Sequence, residues 1–335
     1  MAPSTLGVVR SGYVHLNALS ERIATRVIES GHHVRFFSSD AALREAHAQW
    51  GEIDVLLCTG TFSLDEPFLS SAARLRGAMS VITGMEGFDM PLASRYGVVL
   101  SNGQVPENSL SVAEATVLML LSVFYDINGA QKLLAGNLPR PLHLHTRMLY
   151  RRKIGFIGFG VIAREVARRL STWSVDMMYY TRRARPEPDS LARPVDLREL
   201  LSTSDAVVIL APLNQDSRHL LDDERFGWMK QGAVLVNMAR GGICDEEALY
   251  EHLCSRHLAA AALDTFEAEP LPMSSPLRQL DNVVLTPHII GHTADSHHAI
   301  EQRAMGNALR MLAGQLPEPL LNPQALEHAR FPWAG

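Results

Sequence analysis

The sequence predicts an α/β protein made of two doubly wound parallel-sheet domains. Apolar, strand-like runs alternate with helix-like segments from one end of the chain to the other, and the alternation restarts at residue 153 after a Pro-, His- and Arg-rich stretch at 135–147. The 335 residues suffice for two domains of ordinary size. Since the strands are mostly apolar, we expect each sheet to be covered by helices on both faces.

The first alternating series predicts a flavodoxin-like sheet. Its strands are expected at 6–10, 33–37, 55–60, 79–84 and 97–102. A helix is expected at 19–31, ending at Gly31, and a long buried helix at 111–129. The strands of this series and the helix at 19–31 belong to the smaller domain, whereas the helix at 111–129 falls in the second domain.

The second series, from 153 onward, has the six strands of a Rossmann dinucleotide-binding domain. One more helix follows residue 293, too late to begin another domain, and it is expected to pack back on the first. The predicted division is therefore 1–106 plus 294–335 for the substrate domain and 107–293 for the dinucleotide-binding domain, with a Rossmann core at 151–290. A cleft is expected between the two domains.

Composition excludes several classes of function. Hydrophobic residues make up 47% of the chain and charged residues 20%, the net charge is −5, and no long basic run suggests nucleic-acid binding. The apolar stretch at 117–124 lies between Glu114 and Asp126, which favours a buried helix over a membrane span. No secretory signal is visible, and the three cysteines lack metal-ligand spacing. We expect a soluble cytoplasmic protein without a metal site.

A glycine-rich loop stands where a dinucleotide would bind. Gly158, Gly160 and Ala163 follow an apolar strand and precede a helix. Gly158 permits the tight turn, and Gly160 leaves room for a pyrophosphate at the helix N-terminus. Ala163 replaces the usual third glycine, a position that requires only close packing between helix and strand. This context favours a nicotinamide cofactor over a tight turn without a ligand.

The end of the next strand indicates which cofactor is preferred. NAD binding usually requires an acidic residue there, but the sequence has Thr181, Arg182 and Arg183. A hydroxyl group and guanidinium groups suit a 2′-phosphate. The sequence therefore favours NADP(H), with NAD(H) possible, and the alternative is an arginine-rich loop exposed to solvent.

Five motifs, of which the glycine-rich loop is the first, occur in the order typical of one enzyme family. They are GFIGFGVIA at 155–163, APLNQDSRHLLD at 211–222, VNMARGGICDEEAL at 236–249, ALDTFEAEPLP at 262–272 and VVLTPHIIGHT at 283–293. With these motifs the chain resembles the D-isomer-specific 2-hydroxyacid dehydrogenases, which include glyoxylate/hydroxypyruvate reductases and, more distantly, phosphoglycerate and phosphite dehydrogenases.

The resemblance implies three catalytic residues. Arg240 would bind the substrate carboxylate and polarise the carbonyl, His288 would exchange the proton at the substrate oxygen, and Glu269 would bond the other imidazole nitrogen. These residue types suit the chemistry, because reduction of a 2-oxo acid adds a hydride to carbon and a proton to oxygen. An imidazolium is a suitable acid near neutral pH, and a nearby carboxylate favours its protonated form. An arginine stabilises the negative charge that develops on oxygen.

The resemblance also implies residues that bind substrate and cofactor. Backbone N–H groups around Glu86 and Gly87 would grip the carboxylate, and His292 would tune substrate choice. The cofactor would contact Asp264 and His288, together with Val161, Ile162, Pro212, Met238 and Ala239. His288 and His292 are four residues apart, but Pro287 and Gly291 disfavour the helix that a metal-binding pair would need.

Two alternatives remain open from the sequence. A dehydrogenase of a phosphorus oxyanion would use the same scaffold, although Glu86 stands where phosphite dehydrogenase-like members carry a lysine. A dinucleotide-sensing corepressor would keep the same three residues and act through protein binding. Formate is disfavoured, because formate dehydrogenase-like members carry glutamine in place of Glu269. The family implies a homodimer joined through the nucleotide-binding domains and a cleft that closes by hinge motion.

Overall fold

The structure is a computed structural model that describes residues 3–12, 14–60, 62–85, 87–142, 144–182 and 191–334. Its strands are β1 (Thr5–Val9), β2 (His33–Phe37), β3 (Val55–Cys58), β4 (Gly77–Ser80), β5 (Val99–Asn102), β6 (Lys153–Ile157), β7 (Asp176–Tyr180), β8 (Arg193–Pro194), β9 (Ala206–Ile209), β10 (Ala233–Asn237), β11 (Leu258–Leu263) and β12 (Val283–Leu285).

The helices alternate with these strands. They are α1 (Val14–Glu29), α2 (Asp40–Glu45), α3 (Glu66–Ser71), α4 (Met90–Arg95), α5 (Pro106–Phe124), α6 (Ile127–Ala135), α7 (Val161–Leu170), α8 (Leu197–Thr203), α9 (Asp223–Trp228), α10 (Glu246–Cys254) and α11 (Ala294–Leu312).

The chain divides into two compact units. Unit 1 comprises residues 1–108 and 294–335, and unit 2 comprises residues 109–293. The boundaries predicted from the sequence are 106/107 and 293/294. Each unit contains one sheet, with strand order β2-β1-β3-β4-β5 in unit 1 and β12-β11-β10-β9-β6-β7-β8 in unit 2.

All strand pairs in both sheets are parallel. The predicted fold class, two parallel-sheet α/β domains, is therefore confirmed. In unit 1, apolar side chains from α1 and α11, among them Ile23, Val27 and Ile300, cover one face of the sheet. The other face is covered by a second cluster that includes Phe62 and Phe68. Helix α11 is tied to α1 by an ion pair of 2.7 Å between Arg22 and Glu301.

The sheet of unit 2 has seven strands, whereas the sequence analysis predicted six. The additional strand is β8, whose two residues pair with Met178 and Tyr179 of β7. Both residues of β8 are exposed, so the sequence there lacks the pattern of apolar residues from which a strand could be predicted.

The long helix predicted at 111–129 is in fact two helices. Helix α5 begins earlier, at Pro106, and ends at Phe124. Asp126 then adopts a left-handed conformation with φ of 46°, and its carboxylate accepts a hydrogen bond of 3.0 Å from Gly129 at the start of α6. Asp tolerates this conformation and is a good N-cap, which explains the break.

Helix α5 has the length and composition of a membrane-crossing helix, but its side chains form part of a protein core. Ala113, Met119, Leu120 and Phe124 pack in one apolar cluster of unit 2 with residues of β6 and α7. This is the buried helix that the sequence indicated. Two of the cysteines, Cys58 and Cys244, are also buried, whereas Cys254 is exposed.

Candidate active site

The candidate site lies at the carboxyl edge of the sheet in unit 2. Because the strands are parallel, the loops that follow β6, β10, β11 and β12 leave the sheet at the same edge. These loops carry Gly158, Arg240, Asp264 and His288. The motifs predicted to be functional therefore converge on one edge, the usual ligand position in doubly wound folds.

The glycine loop has the geometry that a dinucleotide requires. Gly158 has φ of +87°, and a Cβ atom there would lie 2.7 Å from backbone atoms of Ala211. A Cβ atom at Gly160 would meet no atom within 4 Å. Gly160 caps α7 without any side-chain hydrogen bond, so the open space lies beside the helix N-terminus. These features fit a pyrophosphate and the positive end of a helix dipole.

The residues at the end of β7 lie partly outside the described part of the chain. Thr181 is half-buried, and Arg182 is exposed and forms an ion pair with Asp216. Arg183, the third residue predicted to bind the 2′-phosphate, lies outside the described residues. One guanidinium group is thus seen at the expected position, where it faces a carboxylate of the loop after β9.

His288 follows β12 in a left-handed conformation, with φ of 54°. Its Nδ1 atom lies 2.7 Å from Oε2 of Glu269, and the two side chains are 32% and 21% exposed. The other carboxylate oxygen of Glu269 accepts a hydrogen bond of 3.1 Å from the N–H of Phe266. The predicted bond between Glu269 and His288 is therefore present, and it leaves Nε2 as the nitrogen available for proton transfer.

The pKa of Glu269 lies below its ordinary value. Burial alone would raise this pKa, but the hydrogen bond and charge of His288, the N–H of Phe266 and the charge of Arg240 together lower it. Glu269 is therefore an anion near neutral pH, in contact with the imidazole of His288.

Asp264 organises the loop that carries His288. One of its oxygens accepts hydrogen bonds from the Thr286 hydroxyl at 2.6 Å, from the Ile289 N–H at 3.0 Å and from the Ile290 N–H at 3.3 Å. Burial raises the pKa of Asp264, and these three donors offset part of that effect. The donors come from both sides of His288, so Asp264 fixes the backbone of the residue predicted to transfer the proton.

Arg240 lies in the loop after β10 and is half-buried. Its Nη1 atom donates to the carbonyl of Ala239 at 2.8 Å. The buried side chain of Asn237 donates to the Arg240 carbonyl at 3.0 Å and accepts from the Ala239 N–H at 3.1 Å. This supporting role of Asn237 was not predicted from the sequence. The feature that could have indicated it is a polar amide at the end of a strand whose other residues are all apolar.

The remaining residues predicted to contact the cofactor surround this edge. Val161 and Ile162 form the first turn of α7, and Pro212 follows β9, where its carbonyl accepts from the Ser217 hydroxyl at 2.7 Å. Met238 and Ala239, between β10 and Arg240, are buried. All five residues belong to unit 2, at or next to the carboxyl ends of its strands.

The predicted substrate-binding residues have a mixed outcome. Glu86 lies outside the described residues. The N–H of Gly87 donates to the Gly60 carbonyl at 2.7 Å, and the contact of this segment with a substrate carboxylate stays a prediction. His292 is half-buried, and its N–H donates to the Ile289 carbonyl at 2.8 Å.

Metal-ligating side chains are dispersed in the described part of the chain. No group of three or more His, Cys, Asp or Glu residues there could hold a metal ion. His288 and His292 are separated by a loop, whereas His297 and His298 lie on α11.

The chain is similar to known proteins of one enzyme family. The model of the D-isomer specific 2-hydroxyacid dehydrogenase, NAD binding domain, matches residues 117–290. The glyoxylate reductase of Thermofilum pendens is 35% identical over 283 residues, which cover 82% of this chain and 83% of the relative. The glyoxylate/hydroxypyruvate reductase B of Pectobacterium atrosepticum is 33% identical over 269 residues, covering 79% and 84%.

A solved structure shares the fold. The NAD-dependent formate dehydrogenase from Staphylococcus aureus, in complex with NAD, superposes with a TM-score of 0.78 at 25% identity, covering 91% of this chain and 95% of that one. The matched domain and the glycine loop together identify unit 2 as a site for a nicotinamide cofactor. The chain belongs to the D-isomer-specific 2-hydroxyacid dehydrogenase family.

Proposed function

We propose that the protein is an NADPH-preferring reductase that converts a small 2-oxo acid to a D-2-hydroxy acid. Glyoxylate and hydroxypyruvate are the first candidate substrates, because they appear in the names of similar reductases. The observation that carries the proposal is the hydrogen bond between His288 and Glu269 at the sheet edge that also carries Arg240. A proton donor with a carboxylate partner and a nearby guanidinium is what carbonyl reduction requires.

The proposed mechanism assigns one task to each residue. When bound, the nicotinamide supplies the hydride for the keto carbon. Arg240 binds the substrate carboxylate through its planar fork and stabilises the charge that develops on the carbonyl oxygen. His288 donates a proton from Nε2 to that oxygen, while Glu269 holds Nδ1 and stabilises the imidazolium. In the opposite direction His288 accepts the hydroxyl proton.

The preference for NADPH rests on Arg182 and on the missing carboxylate at the end of β7. The ion pair between Arg182 and Asp216 is exposed, so it contributes little stability of its own. A 2′-phosphate carries more charge than Asp216 and accepts a bidentate hydrogen bond from a guanidinium group. We propose that it replaces Asp216 as the partner of Arg182.

The assembly proposed is a cytoplasmic homodimer formed through unit 2. Its support is a set of exposed apolar side chains on α5, on α6 and in the segment that follows. They are Leu118, Tyr125, Ile127, Leu134, Leu138, Leu142, Leu144 and Met148, with Leu134 84% and Leu142 92% exposed. Apolar side chains at this density are typical of a surface that a partner covers.

The test of the proposed activity is NADPH oxidation with glyoxylate, hydroxypyruvate and phenylpyruvate. We expect turnover with at least one of them, and the small substrates to be preferred. An absence of turnover with every 2-oxo acid, in a protein that still binds NADPH, would refute the reductase and favour the dinucleotide-sensing alternative.

A further inference from the structure

Two loops that carry proposed catalytic residues touch through their backbones. The arginine loop (238–246) follows β10, and the glutamate loop (264–270) follows β11. A Cβ atom at Gly241 would lie 1.8 Å from the carbonyl carbon of Phe266 and 2.3 Å from the nitrogen of Glu267. Only glycine permits this approach, and it lies one residue beyond Arg240.

A reciprocal pair of hydrogen bonds joins the same two loops. The N–H of Glu267 donates to Oε1 of Glu246 at 2.6 Å, and the N–H of Glu246 donates to Oε1 of Glu267 at 3.2 Å. Each glutamate thus satisfies a backbone donor on the opposite loop. Burial raises the pKa of Glu246, and the charges of Glu267 and Glu269 raise it further. Two neighbouring carboxylates repel each other, so their contact is unfavourable unless other interactions offset the repulsion.

His219 supplies a third connection, from the loop after β9. Its buried Nε2 atom lies 3.2 Å from the same Oε1 atom of Glu267 but does not form a hydrogen bond with it. The backbone N–H of His219 donates to the Gly242 carbonyl at 2.9 Å. His219 adopts a left-handed conformation, with φ of 47°. It therefore contacts the arginine loop through its backbone and the glutamate loop through its side chain.

The connection reaches the proposed proton donor through the backbone of Phe266. Its N–H donates to Oε1 of Glu269 at 3.1 Å, and Oε2 of Glu269 holds His288 at 2.7 Å. The peptide between Phe266 and Glu267 is the one that abuts Gly241. Displacement of Glu267 would therefore move the donor that orients the Glu269 carboxylate.

We propose that Glu246, Glu267 and His219 form a positioning clamp that holds Arg240 and the Glu269–His288 pair at the separation that carbonyl reduction requires. The clamp residues hold the two loops together and do not themselves contact the substrate in this proposal. The proposal rests on the proposed function for its kinetic consequences. Its geometric content, that the clamp orients Glu269 toward His288, is independent of the substrate.

The kinetic test compares Glu267→Ala, Glu267→Gln and Glu246→Ala with the control Glu247→Gln. Glu247 is exposed and carries the same charge in the same first turn of α10. In Glu267→Ala we expect kcat for the 2-oxo acid to fall about tenfold, because small misplacements of reacting groups are costly, while KM for NADPH stays unchanged. Glu267→Gln retains an acceptor for the Glu246 N–H, so it should recover part of the lost kcat.

Two results would overturn the clamp in this assay. One is a kcat for Glu267→Ala within twofold of the wild type, and the other is an equal loss in Glu247→Gln. A fall in kcat that follows a loss of thermal stability, without recovery in Glu267→Gln, would also count against positioning. In the double variant Glu246→Ala/Glu267→Ala, the loss of kcat should be smaller than the product of the two single losses, because either alanine releases the contact between the same two loops.

A spectroscopic test does not depend on turnover. The proton between His288 Nδ1 and Glu269 should give a downfield proton NMR signal, identified by its disappearance in His288→Gln and Glu269→Gln. We expect this signal to weaken or shift in Glu267→Ala and to stay unchanged in Glu247→Gln. An unchanged signal in Glu267→Ala would refute the clamp even in an active enzyme. If the wild type reduced no 2-oxo acid, the proposed function would be refuted. The NMR signal would still show whether the clamp orients Glu269 toward His288.

Discussion

The Nδ1 atom of His288 lies 2.7 Å from Oε2 of Glu269, although the two residues are 19 positions apart in the chain. The hydrogen bond joins the loops that follow two neighbouring strands, β11 and β12. It fixes which imidazole nitrogen faces the carboxylate and which remains for chemistry. The first two predictions follow from this pair.

Replacement of His288 by glutamine should lower kcat by about 10²- to 10⁴-fold, the usual contribution of a positioned acid–base group. NADPH affinity, measured by fluorescence titration, should change little, because the glycine loop and α7 are untouched. His298→Gln is the matched control, since this histidine is exposed on α11. An unchanged kcat in His288→Gln would remove His288 from the mechanism.

Replacement of Glu269 by glutamine should alter the pH dependence of stability. The pKa of Glu269 is lowered in the folded protein, so its contribution to the free energy of unfolding is complete above the ordinary value of 4.5. That contribution is lost as the pH falls through the lowered pKa. The stability difference between the wild type and Glu269→Gln, measured by urea unfolding, should therefore be largest near neutral pH and shrink in acid. A difference that grew in acid would contradict the assignment.

The two glycines of the nucleotide loop should respond differently to alanine. Gly158→Ala combines a positive φ with contacts of 2.7 Å to backbone atoms of Ala211, so it should destabilise the protein by about 1–3 kcal/mol. Gly160→Ala meets open space, so Tm should stay near that of the wild type. Its new methyl group would occupy the approach of the pyrophosphate, and NADPH should bind at least about tenfold more weakly. An unchanged NADPH affinity in Gly160→Ala would show that the pyrophosphate does not bind beside Gly160.

Arg182 and Asp216 provide a paired test of cofactor preference. Arg182→Ala should reduce kcat/KM for NADPH about tenfold, because a charge-assisted hydrogen bond is lost, and should affect NADH much less. Asp216→Asn removes the competing carboxylate and should lower KM for NADPH. A wild type with the higher kcat/KM for NADH would refute the preference.

The proposed dimer can be measured by light scattering after size-exclusion chromatography. We expect twice the chain mass of 37.0 kDa for the wild type. Leu134→Glu/Leu142→Glu should shift the mass toward the monomer, because both side chains would place charges in an apolar interface. Val14→Glu is the control, at an equally exposed apolar residue of unit 1. A monomeric wild type would refute this assembly.

Sequence patterns predicted the parts of the molecule that depend on periodicity and on specific residue types. The five strands of unit 1 and the glycine loop before α7 belong to this group. The bond between Glu269 and His288 was implied by the family resemblance. Strand β8 could not be predicted, because two exposed residues are too few to show an alternation of apolar and polar side chains. The break at Asp126 depends on a left-handed conformation that several other residues would also have permitted.

Hydrogen bonds donated by backbone N–H groups are a second kind of feature that the sequence does not reveal. The Phe266 N–H orients Glu269, and any residue except proline at that position would supply the same donor. Likewise, the hydrogen bond from the Gly87 N–H to the Gly60 carbonyl could not be predicted from the sequence. Such assignments depend on loop geometry, which short motifs do not specify.

The unequal burial of the three cysteines makes the protein suitable for single-site labelling. Burial raises the pKa of the Cys58 thiol to about 12 and also raises that of Cys244. Both therefore stay protonated and shielded from electrophiles near neutral pH. Cys254, exposed at the end of α10, should react first with a maleimide, so a fluorophore or spin label can be attached there without an engineered cysteine.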